Sequence, residues 1–452
     1  MQTLWSFAQL ALLLPWILTT SAQTIPKPVL MHFIVGNAYP YTASDWSRDI
    51  ALASSKGIDG FVLNVGVNEW QLSRVSDAYD AASSFSSTSN APFKMAVSFD
   101  MGSLPCAALS DGDILRTYVN TFHEHESQLM VQGDAGERPL FLTFAGQGCM
   151  FGQNSVNEGW TMVLKDESLP AIHFLPSFFL DPGLYGGMSS ADGAFSWDSA
   201  WPMGNYDITN NYDTAYRTYL NGRTYMAAVS PWFFTHYGAN TYNKNFIYRA
   251  DNWLLAERWE LLIRDREIVD MVQIISWNDY GECHYMGPIE GAQPLSEAWT
   301  AGYDHQGWLD LQHYYITAYK TGSYPTIEGD RVFLWGRLYP ARTQVLTDPV
   351  GVPYNFRFTE DFVWAVVLLT TDAQVTLSCI QEGDSDSDNG EESTTQNLSA
   401  GLSKLRLKLT YDCSPVAQIT RNGEDVLRFA PEGFRFSTQP TAYNFNAFVA
   451  AS

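Results

Sequence analysis

The segment SWNDYGECHY, residues 276–285, places Asp279 and Glu282 directly behind the apolar run MVQIIS. Acidic side chains are seldom buried, so a solvated loop is the ordinary interpretation of such a pair. Two carboxyl groups at the end of a buried strand can instead work together in acid–base chemistry. Hydrolysis of a glycosidic bond needs this combination, because one carboxylic acid protonates the leaving oxygen while one carboxylate activates water or attacks the anomeric carbon.

Other apolar runs also end in polar or aromatic residues. A third carboxylate, Asp100, ends the run FKMAVSFDM, and we expect it to be catalytic together with Asp279 and Glu282. Aromatic rings stack on sugar faces, and amides and imidazoles bind hydroxyl groups. On that basis the expected substrate-binding residues are His32, Asn64, Gln147, Trp197, Trp232, Trp277, Asn278 and His284. Structural roles are the alternative: Asp100 could cap a helix, and His32 or Trp197 could belong to the core.

These residues can meet only if the apolar runs are strands of one sheet. Eight such runs alternate with helix-like stretches: 29–36, 60–66, 93–101, 140–146, 172–179, 194–201, 224–232 and 271–279. Near-continuous apolar strands separated by helices indicate a parallel sheet that is covered on both faces. Eight strands over about 250 residues predict a (β/α)8 TIM barrel, whose active site lies at the carboxyl ends of the strands. An open doubly wound sheet is the alternative, but no GxGxxG sequence follows the first run to favour it.

The composition changes after the helix-like segment GWLDLQHYYITAYKTG, residues 307–322. From about residue 327 short apolar strands such as DFVWAVVLLT follow at close spacing, a pattern typical of an antiparallel β-sandwich. Within the first region, NFIYRADNWLLAERWELLIRD (245–265) is predicted to be helical. We therefore expect an α/β chain with a signal peptide at 1–22, a catalytic barrel at 23–325 and an all-β sandwich at 326–452.

The N-terminal segment and the cysteines indicate secretion. The apolar stretch 4–18 is too short to span a bilayer comfortably, and the small residues that follow suggest cleavage near Ala22. Five cysteines in a secreted chain allow two disulfides. By position we pair Cys106 with Cys149 and Cys379 with Cys413, which leaves Cys283 free. Asn397 begins the sequon Asn-Leu-Ser, a site for N-glycosylation.

The charge of the chain excludes several classes of partner. A formal net charge of −23 opposes binding to nucleic acid, anionic membranes or polyanionic substrates. A neutral polysaccharide fits better, and the aromatic content of 14% offers rings to stack on it. No GxSxG, HExxH or Walker sequence is present. We expect no metal and no cofactor, and we expect a monomer.

Three blocks of sequence resemble a known family. They are HFIVGNAYPYTASDWSRDIALASSKGIDGFVLNVG (32–66), VSFDM (97–101) and SWNDYGECHYMGP (276–288). They resemble glycoside hydrolase family 71, the fungal α-1,3-glucanases or mutanases. The resemblance implies a secreted (β/α)8 enzyme with an appended β-sandwich, which hydrolyses α-1,3-glucan of the fungal cell wall with inversion at the anomeric carbon. Endo action is the expected mode.

The resemblance also implies which residues react. The family's catalytic acids lie in a D-[YF]-G-E motif, which Asp279 and Glu282 match, and a further active-site aspartate corresponds to Asp100. Cys283 stands where serine is expected. We expect Glu282 to be the general acid and Asp279 the general base, although the two roles could be exchanged. Two other functions stay open: hydrolysis of a different α-glucan linkage, and glucan binding in the cell wall without catalysis.

Overall fold

The computed structural model describes residues 26–89, 91–133, 136–381 and 392–452, so the predicted signal peptide at 1–22 lies outside the described residues. The strands in this part of the chain are β1 (Val29–Ile34), β2 (Gly60–Val65), β3 (Lys94–Asp100), β4 (Met130–Gly133), β5 (Gly136–Phe144), β6 (His173–Ser177), β7 (Gly193–Ser196), β8 (Thr224–Val229), β9 (Phe234–His236), β10 (Asn245–Ile247), β11 (Met271–Ile274), β12 (Arg331–Arg337), β13 (Phe362–Leu369), β14 (Ala373–Ile380), β15 (Ser393–Leu398), β16 (Gly401–Lys408), β17 (Ser414–Arg421), β18 (Glu424–Phe429) and β19 (Ala447–Ala451). The helices are α1 (Ala43–Ser55), α2 (Gln71–Thr88), α3 (Asp113–Phe122), α4 (Val156–Leu164), α5 (Asn211–Leu220), α6 (Leu254–Arg264), α7 (Glu297–Thr300) and α8 (Gln306–Thr321).

Eight parallel strands form one curled sheet in the order β6-β5-β3-β2-β1-β11-β8-β7. The first strand pairs with the last, since Val29, Leu30 and Met31 of β1 lie opposite Val272, Gln273 and Ile274 of β11. The two ends of this order, β6 and β7, share no ladder among the described residues. A backbone hydrogen bond of 2.9 Å, from Asp192 N to Phe174 O, joins them. All eight predicted strands are therefore present in one parallel sheet.

Side chains of each strand alternate between the helices outside and the interior of the curled sheet. On β1, the ring of Phe33 packs against Trp46 of α1 at 4.7 Å, so Phe33 faces outward. His32 faces the other way, and its ring meets Trp197 edge to face at 5.0 Å. Because the strands are buried on both faces, they are apolar almost throughout.

The C-terminal region contains two four-stranded antiparallel sheets, β16-β13-β12-β19 and β15-β14-β17-β18. Apolar residues from both sheets, such as Val363 and Leu377, share one buried core. A buried ion pair attaches this region to the parallel-sheet region, with Arg337 Nε 2.7 Å from Asp251 Oδ2. The indole of Trp364 donates to the other oxygen of Asp251 at 2.7 Å, so the carboxylate is paired on both sides.

The predicted helix at 245–265 is wrong in its first half. Residues 245–247 form strand β10, and helix α6 begins only at Leu254. Backbone hydrogen bonds from Ile247 N to Tyr354 O and from Tyr354 N to Asn245 O hold this segment extended. Pairing with β9 on one side and with a segment more than 100 residues further along the chain on the other thus overrides the local pattern.

Both disulfides have the predicted pairing, Cys106 with Cys149 and Cys379 with Cys413. Cys283 is the free cysteine among the described residues and is fully buried. Across the described ranges, no helix combines the length and the apolar character needed to cross a membrane.

Candidate active site

The loop after β11 carries the two acids over the carboxyl end of the parallel sheet. Hydrogen bonds from Ser276 N to His284 O (2.9 Å) and from Met286 N to Ser276 O (3.0 Å) fold residues 276–286 back on themselves. Asn278 continues the contact of β11 with β1, because its amide accepts from Ile34 N at 2.7 Å and donates to Ile34 O at 3.0 Å. The loop is therefore fixed at its base and presents Asp279 and Glu282 at its tip.

Gly281 lies between the acids because no side chain fits there. A Cβ atom at this position would lie 2.3 Å from Tyr237 Oη, which is itself fixed by a 2.8 Å hydrogen bond to Pro294 O. A hydrogen bond spans the glycine, because Glu282 N donates to Asp279 Oδ1 at 3.2 Å. The glycine of the motif thus lets the loop close against the Tyr237 ring.

A buried histidine lies beneath both acids. His284 is fully buried, and its Nε2 lies 3.2 Å from Glu282 Oε2 and 3.6 Å from Asp279 Oδ2. Its Nδ1 lies 3.0 Å from Ser276 Oγ, which accepts from Asp279 N at 2.9 Å. In the tautomer that carries its proton on Nε2, His284 donates to Glu282 and accepts at Nδ1 from the Ser276 hydroxyl. One hydrogen-bonded chain connects the two acids through Ser276 and His284.

The two carboxyl groups differ in their affinity for a proton. Burial, together with the negative charge of Glu282, raises the pKa of Asp279 to about 6. Burial alone would raise the pKa of Glu282 as well, but the hydrogen bond from His284 and the Lys244 ammonium hold it below its ordinary value. Lys244 Nζ lies 3.3 Å from Glu282 Oε1. A proton in this site is therefore held more tightly by Asp279 than by Glu282.

Asp100 lies near these charges. Burial raises the pKa of its carboxyl group, with a smaller raising effect from Glu282 and an opposing effect from Lys244. Its Oδ1 accepts from Gly102 N at 3.0 Å within a turn, so the carboxylate caps this turn rather than a helix. The side chain is only partly buried, and Ser103 also hydrogen-bonds to its carboxyl group.

Three of the expected substrate-binding residues lie in the interior of the curled sheet, close to the acids. Trp197 packs edge to face against His32 at 5.0 Å and against His284 at 6.4 Å, and 9% of its surface is exposed. His32 is buried, and burial lowers its pKa to about 3, so the ring is neutral. His284 itself binds the acids, so it acts on them and has no free nitrogen for a sugar.

Asn64 and Gln147 lie at the ends of their strands. Asn64 pairs in register with Ile34 on one side and with Ser98 on the other. Its Oδ1 is buried without a hydrogen-bond partner among the described groups. Gln147 is partly exposed in the loop after β5, and its Oε1 is 3.4 Å from Phe179 N. Both amides retain hydrogen-bonding capacity for hydroxyl groups.

Trp232, Trp277 and Asn278 have polar groups that bond inside the protein, and direct substrate contact by these three stays a prediction. The indole of Trp232 is fully buried and donates to Phe445 O at 3.0 Å, towards the C-terminal region. Trp277 packs outside the sheet, where its indole donates to Asp49 Oδ2 of α1 at 2.9 Å. The Asn278 amide is used by the Ile34 backbone, as described above. All three residues follow a strand. Their side chains nevertheless point away from the interior of the curled sheet or have polar groups that are bonded to other parts of the protein.

The structure adds two residues that are not among the expected site residues. Lys244 reaches Glu282 from the loop between β9 and β10, directly before the segment predicted to be helical. Asp198 follows β7, and its carboxyl group is partly buried. This burial raises the pKa of the group to about 6. Its position after a strand was visible in the sequence, but its environment was not. The exposed Asn397 side chain, the predicted glycosylation site, lies on edge strand β15 away from these groups.

One group of side chains in the described ranges could in principle surround a cation, and it is the set Asp279, Glu282 and His284. One donor atom of each lies within 4.8 Å of the other two. In this arrangement His284 donates to Glu282, and the ammonium of Lys244 faces the second oxygen of that carboxylate. The donors are engaged by one another and by a cationic side chain, so we assign the set to proton chemistry.

Comparison with known proteins is consistent across nearly the whole chain. The profile of the family described as Glycosyl hydrolase family 71 matches residues 25–452. The protein named Glucan endo-1,3-alpha-glucosidase agn1, from Schizosaccharomyces pombe, is 37% identical over 433 residues, which cover 94% of each chain. Mutanase Pc12g07500 of Penicillium rubens is 32% identical over 96% of this chain and 90% of its own. The Ascus wall endo-1,3-alpha-glucanase of Schizosaccharomyces pombe is 29% identical over 93% of this chain and 96% of its own.

We predict that Trp277→Phe lowers stability and leaves kinetics unchanged. The substitution removes the indole donor to the buried Asp49, which costs about 1–3 kcal/mol of unfolding free energy. Urea unfolding and steady-state kinetics check this. Trp197→Phe, the same change on the inner face, is the matched control and should alter KM or kcat. A raised KM with unchanged stability in Trp277→Phe would contradict the outward placement.

Proposed function

The chain belongs to glycosyl hydrolase family 71, and we propose that it hydrolyses the α-1,3-glucosidic bonds of α-1,3-glucan. Asp279 and Glu282 carry this proposal, because they place a carboxyl group of raised pKa beside one of lowered pKa in the loop after β11. That combination is what glycosidic bond hydrolysis uses. The choice of linkage is supported by the names of the similar fungal proteins, two of which are endo-1,3-alpha-glucosidase or glucanase.

In the mechanism we propose, Asp279 is the general acid. Its pKa of about 6 keeps the carboxyl protonated in mildly acidic medium, so it can donate to the leaving glycosidic oxygen. Glu282, ionised next to Lys244 and His284, accepts a proton from the attacking water. These roles are the reverse of those expected from the sequence, where Glu282 was the general acid and Asp279 the general base. The sequence had left this exchange open.

Asp100, Asn64, Gln147 and Trp197 are the proposed substrate contacts. Trp197 supplies a partly exposed apolar ring, and the amides supply donors and acceptors for hydroxyl groups. The partly buried carboxylate of Asp100 would accept a hydrogen bond from a hydroxyl group of the sugar that lies nearest to the acids. A neutral polymer suits this acidic surface, since it has no charge to repel.

We infer further that the curled sheet is a closed (β/α)8 barrel, with residues 23–325 as catalytic domain and 326–452 as a β-sandwich. The β1–β11 pairing and the hydrogen bond between Asp192 and Phe174 support closure. The shared core of the two C-terminal sheets supports the sandwich. Secretion through cleavage near Ala22, N-glycosylation at Asn397 and action as a monomer at the cell wall complete the proposal; two disulfides agree with an oxidising compartment.

We predict that Asp279→Asn and Glu282→Gln each lower kcat by about 10²–10⁴-fold on α-1,3-glucan, because each removes one half of the proton transfer. Reducing-sugar release and product sizing measure the effect, and a ladder of oligosaccharides would identify endo action. Glu260→Gln, a carboxyl group on α6 that pairs with Lys404, is the matched control. Near-normal activity of either site variant would sink the assignment.

The same assay decides between the competing functions. Wild-type protein should degrade α-1,3-glucan and leave α-1,4-glucan and β-1,3-glucan intact. Preferential release from α-1,4-glucan would point to a different linkage. Binding to α-1,3-glucan without any product would point to a cell-wall binding protein.

We predict that kcat/KM falls as pH rises through about 6. The general acid must be protonated, and Asp279 loses its proton near that pH, so activity is present below it and lost above it. A pH series on soluble α-1,3-linked oligosaccharides measures this alkaline limb. A rate that stays flat well above pH 6 would show that another group donates the proton.

We predict inversion at the anomeric carbon, with the β-anomer as first product, as the family resemblance implies. Inverting enzymes hold their carboxyl groups about 6.5–9.5 Å apart to admit water. Oxygens of Asp279 and Glu282 approach within 4.8 Å here, so inversion requires the two side chains to separate when substrate enters. Proton NMR of the initial product decides: an α-anomer would indicate retention and fit the close spacing.

A further inference from the structure

Lys244 lies on a hairpin that contacts Glu282 twice. The β9–β10 hairpin, residues 234–247, pairs Phe234 with Ile247 and His236 with Asn245. At one end Phe234 N donates to the backbone oxygen of Glu282 at 3.0 Å. At the other end, directly before β10, Lys244 Nζ lies 3.3 Å from Glu282 Oε1. The hairpin therefore holds both the backbone and the carboxylate of one catalytic acid.

The charge that Lys244 brings is unusual at this position. Three carboxyl groups lie near it, and the electrostatic effects of Glu282, Asp279 and Asp100 all favour the charged ammonium. Of the lysines and arginines in the described residues, Lys244 alone forms an ion pair with one of these three carboxyl groups. The other titratable groups that interact with Glu282 are Asp279, His284, Asp100, His32, Tyr248 and Cys283.

An exposed lysine that pairs with a surface acid contributes little as a rule. The Lys244 side chain is 52% exposed, but its partner Glu282 is only 20% exposed. Removal of the ammonium would leave Glu282 beside Asp279 with only the histidine hydrogen bond to stabilise its negative charge. In such surroundings a carboxylate takes up a proton more readily.

The outer side of the hairpin is bonded to the C-terminal region. His236 Nε2 lies 3.0 Å from Asp348 Oδ2, and the Asn245 amide donates to Gly351 O at 3.0 Å. The Asp348 carboxylate also accepts from Val350 N at 2.9 Å and from Tyr443 N at 2.8 Å. Its side chain is 3% exposed. Together with the Tyr354–β10 bonds, these contacts clamp the hairpin from the side opposite the acids.

We propose that Lys244 is a positioning residue that keeps Glu282 ionised, and that the C-terminal region takes part in catalysis by holding the hairpin that presents Lys244. The inference rests on the proposed function, in which Glu282 is the general base. The C-terminal sheets then have a specific role, because Asp348 sets the position of the hairpin and the hairpin sets the protonation of the base.

The first test is the pH profile of Lys244→Met with soluble α-1,3-linked oligosaccharides. Loss of the positive charge raises the pKa of Glu282, so the acidic limb of kcat/KM should move to higher pH by about 0.5–1 unit. Lys244→Arg keeps the charge and should restore the wild-type limb. Lys404→Met, which removes the ion pair with Glu260 on α6, is the matched control and should leave the profile unchanged.

The second test connects the clamp to the charge. Asp348→Asn should shift the acidic limb in the same direction by a smaller amount, with thermal unfolding measured to verify the fold. If the clamp works through Lys244, Asp348→Asn should have little further effect on the limb in the Lys244→Met background. Additive shifts would overturn the role of the C-terminal region.

The outcomes separate this inference from the function itself. Wild-type protein without activity on α-1,3-glucan would overturn the proposed function. Active wild-type protein with an unchanged acidic limb in Lys244→Met would overturn the inference alone. A shift of the alkaline limb that exceeds the shift of the acidic limb would also overturn it, because Lys244 would then act mainly on Asp279, the proposed proton donor, whose pKa its charge also lowers.

Discussion

Hydrogen bonding between the first and the last strand of the parallel sheet is the constraint on which the site depends. Beyond the last paired residues of β1 and β11, the contact continues through Trp277 N to His32 O at 2.8 Å and through both atoms of the Asn278 amide to Ile34. The loop that follows has no freedom to leave the rim. Because it must turn over the end of the sheet, its two acids come to lie above His284 and Trp197.

Burial of carboxyl groups at this place is costly, and the surroundings compensate unequally. Glu282 receives a hydrogen bond from His284 and the charge of Lys244, whereas for Asp279 burial and the negative charge of Glu282 outweigh the effects of the same two residues. The difference in proton affinity therefore arises from what each oxygen touches, since both acids sit on the same short loop. The short sequence separation of the two acids sets their spacing. Residues elsewhere in the chain, such as Lys244, contribute to the difference in their proton affinities.

The eight strands and the two acids could be predicted from the sequence, because strongly apolar runs and the residues that end them are local signals. The direction in which each end residue faces could not. Strands buried on both sides carry no alternation of polarity, so Trp277 and His32 look equivalent in the sequence although one faces α1 and the other the interior. The pattern predicts helix for residues 245–247 because their apolar residues continue those of α6, and pairing with β9 and contact with the distant Tyr354 make them a strand. Lys244 was missed because it lies in the turn of this hairpin and does not follow one of the eight apolar runs.

Strand β19 has a consequence for the order in which the molecule can be completed. It pairs with β12, whose residues lie more than 100 positions earlier, and the nearby Phe445 carbonyl accepts the indole proton of Trp232 next to β8. His305 Nε2, directly before α8, lies 2.9 Å from Ala447 O, so the start of this helix also contacts β19. During synthesis the parallel sheet can assemble early, but its junction with the C-terminal sheets stays open until residues 445–451 have left the ribosome. Translation thus supplies the residues that close this junction after all the residues of the parallel sheet.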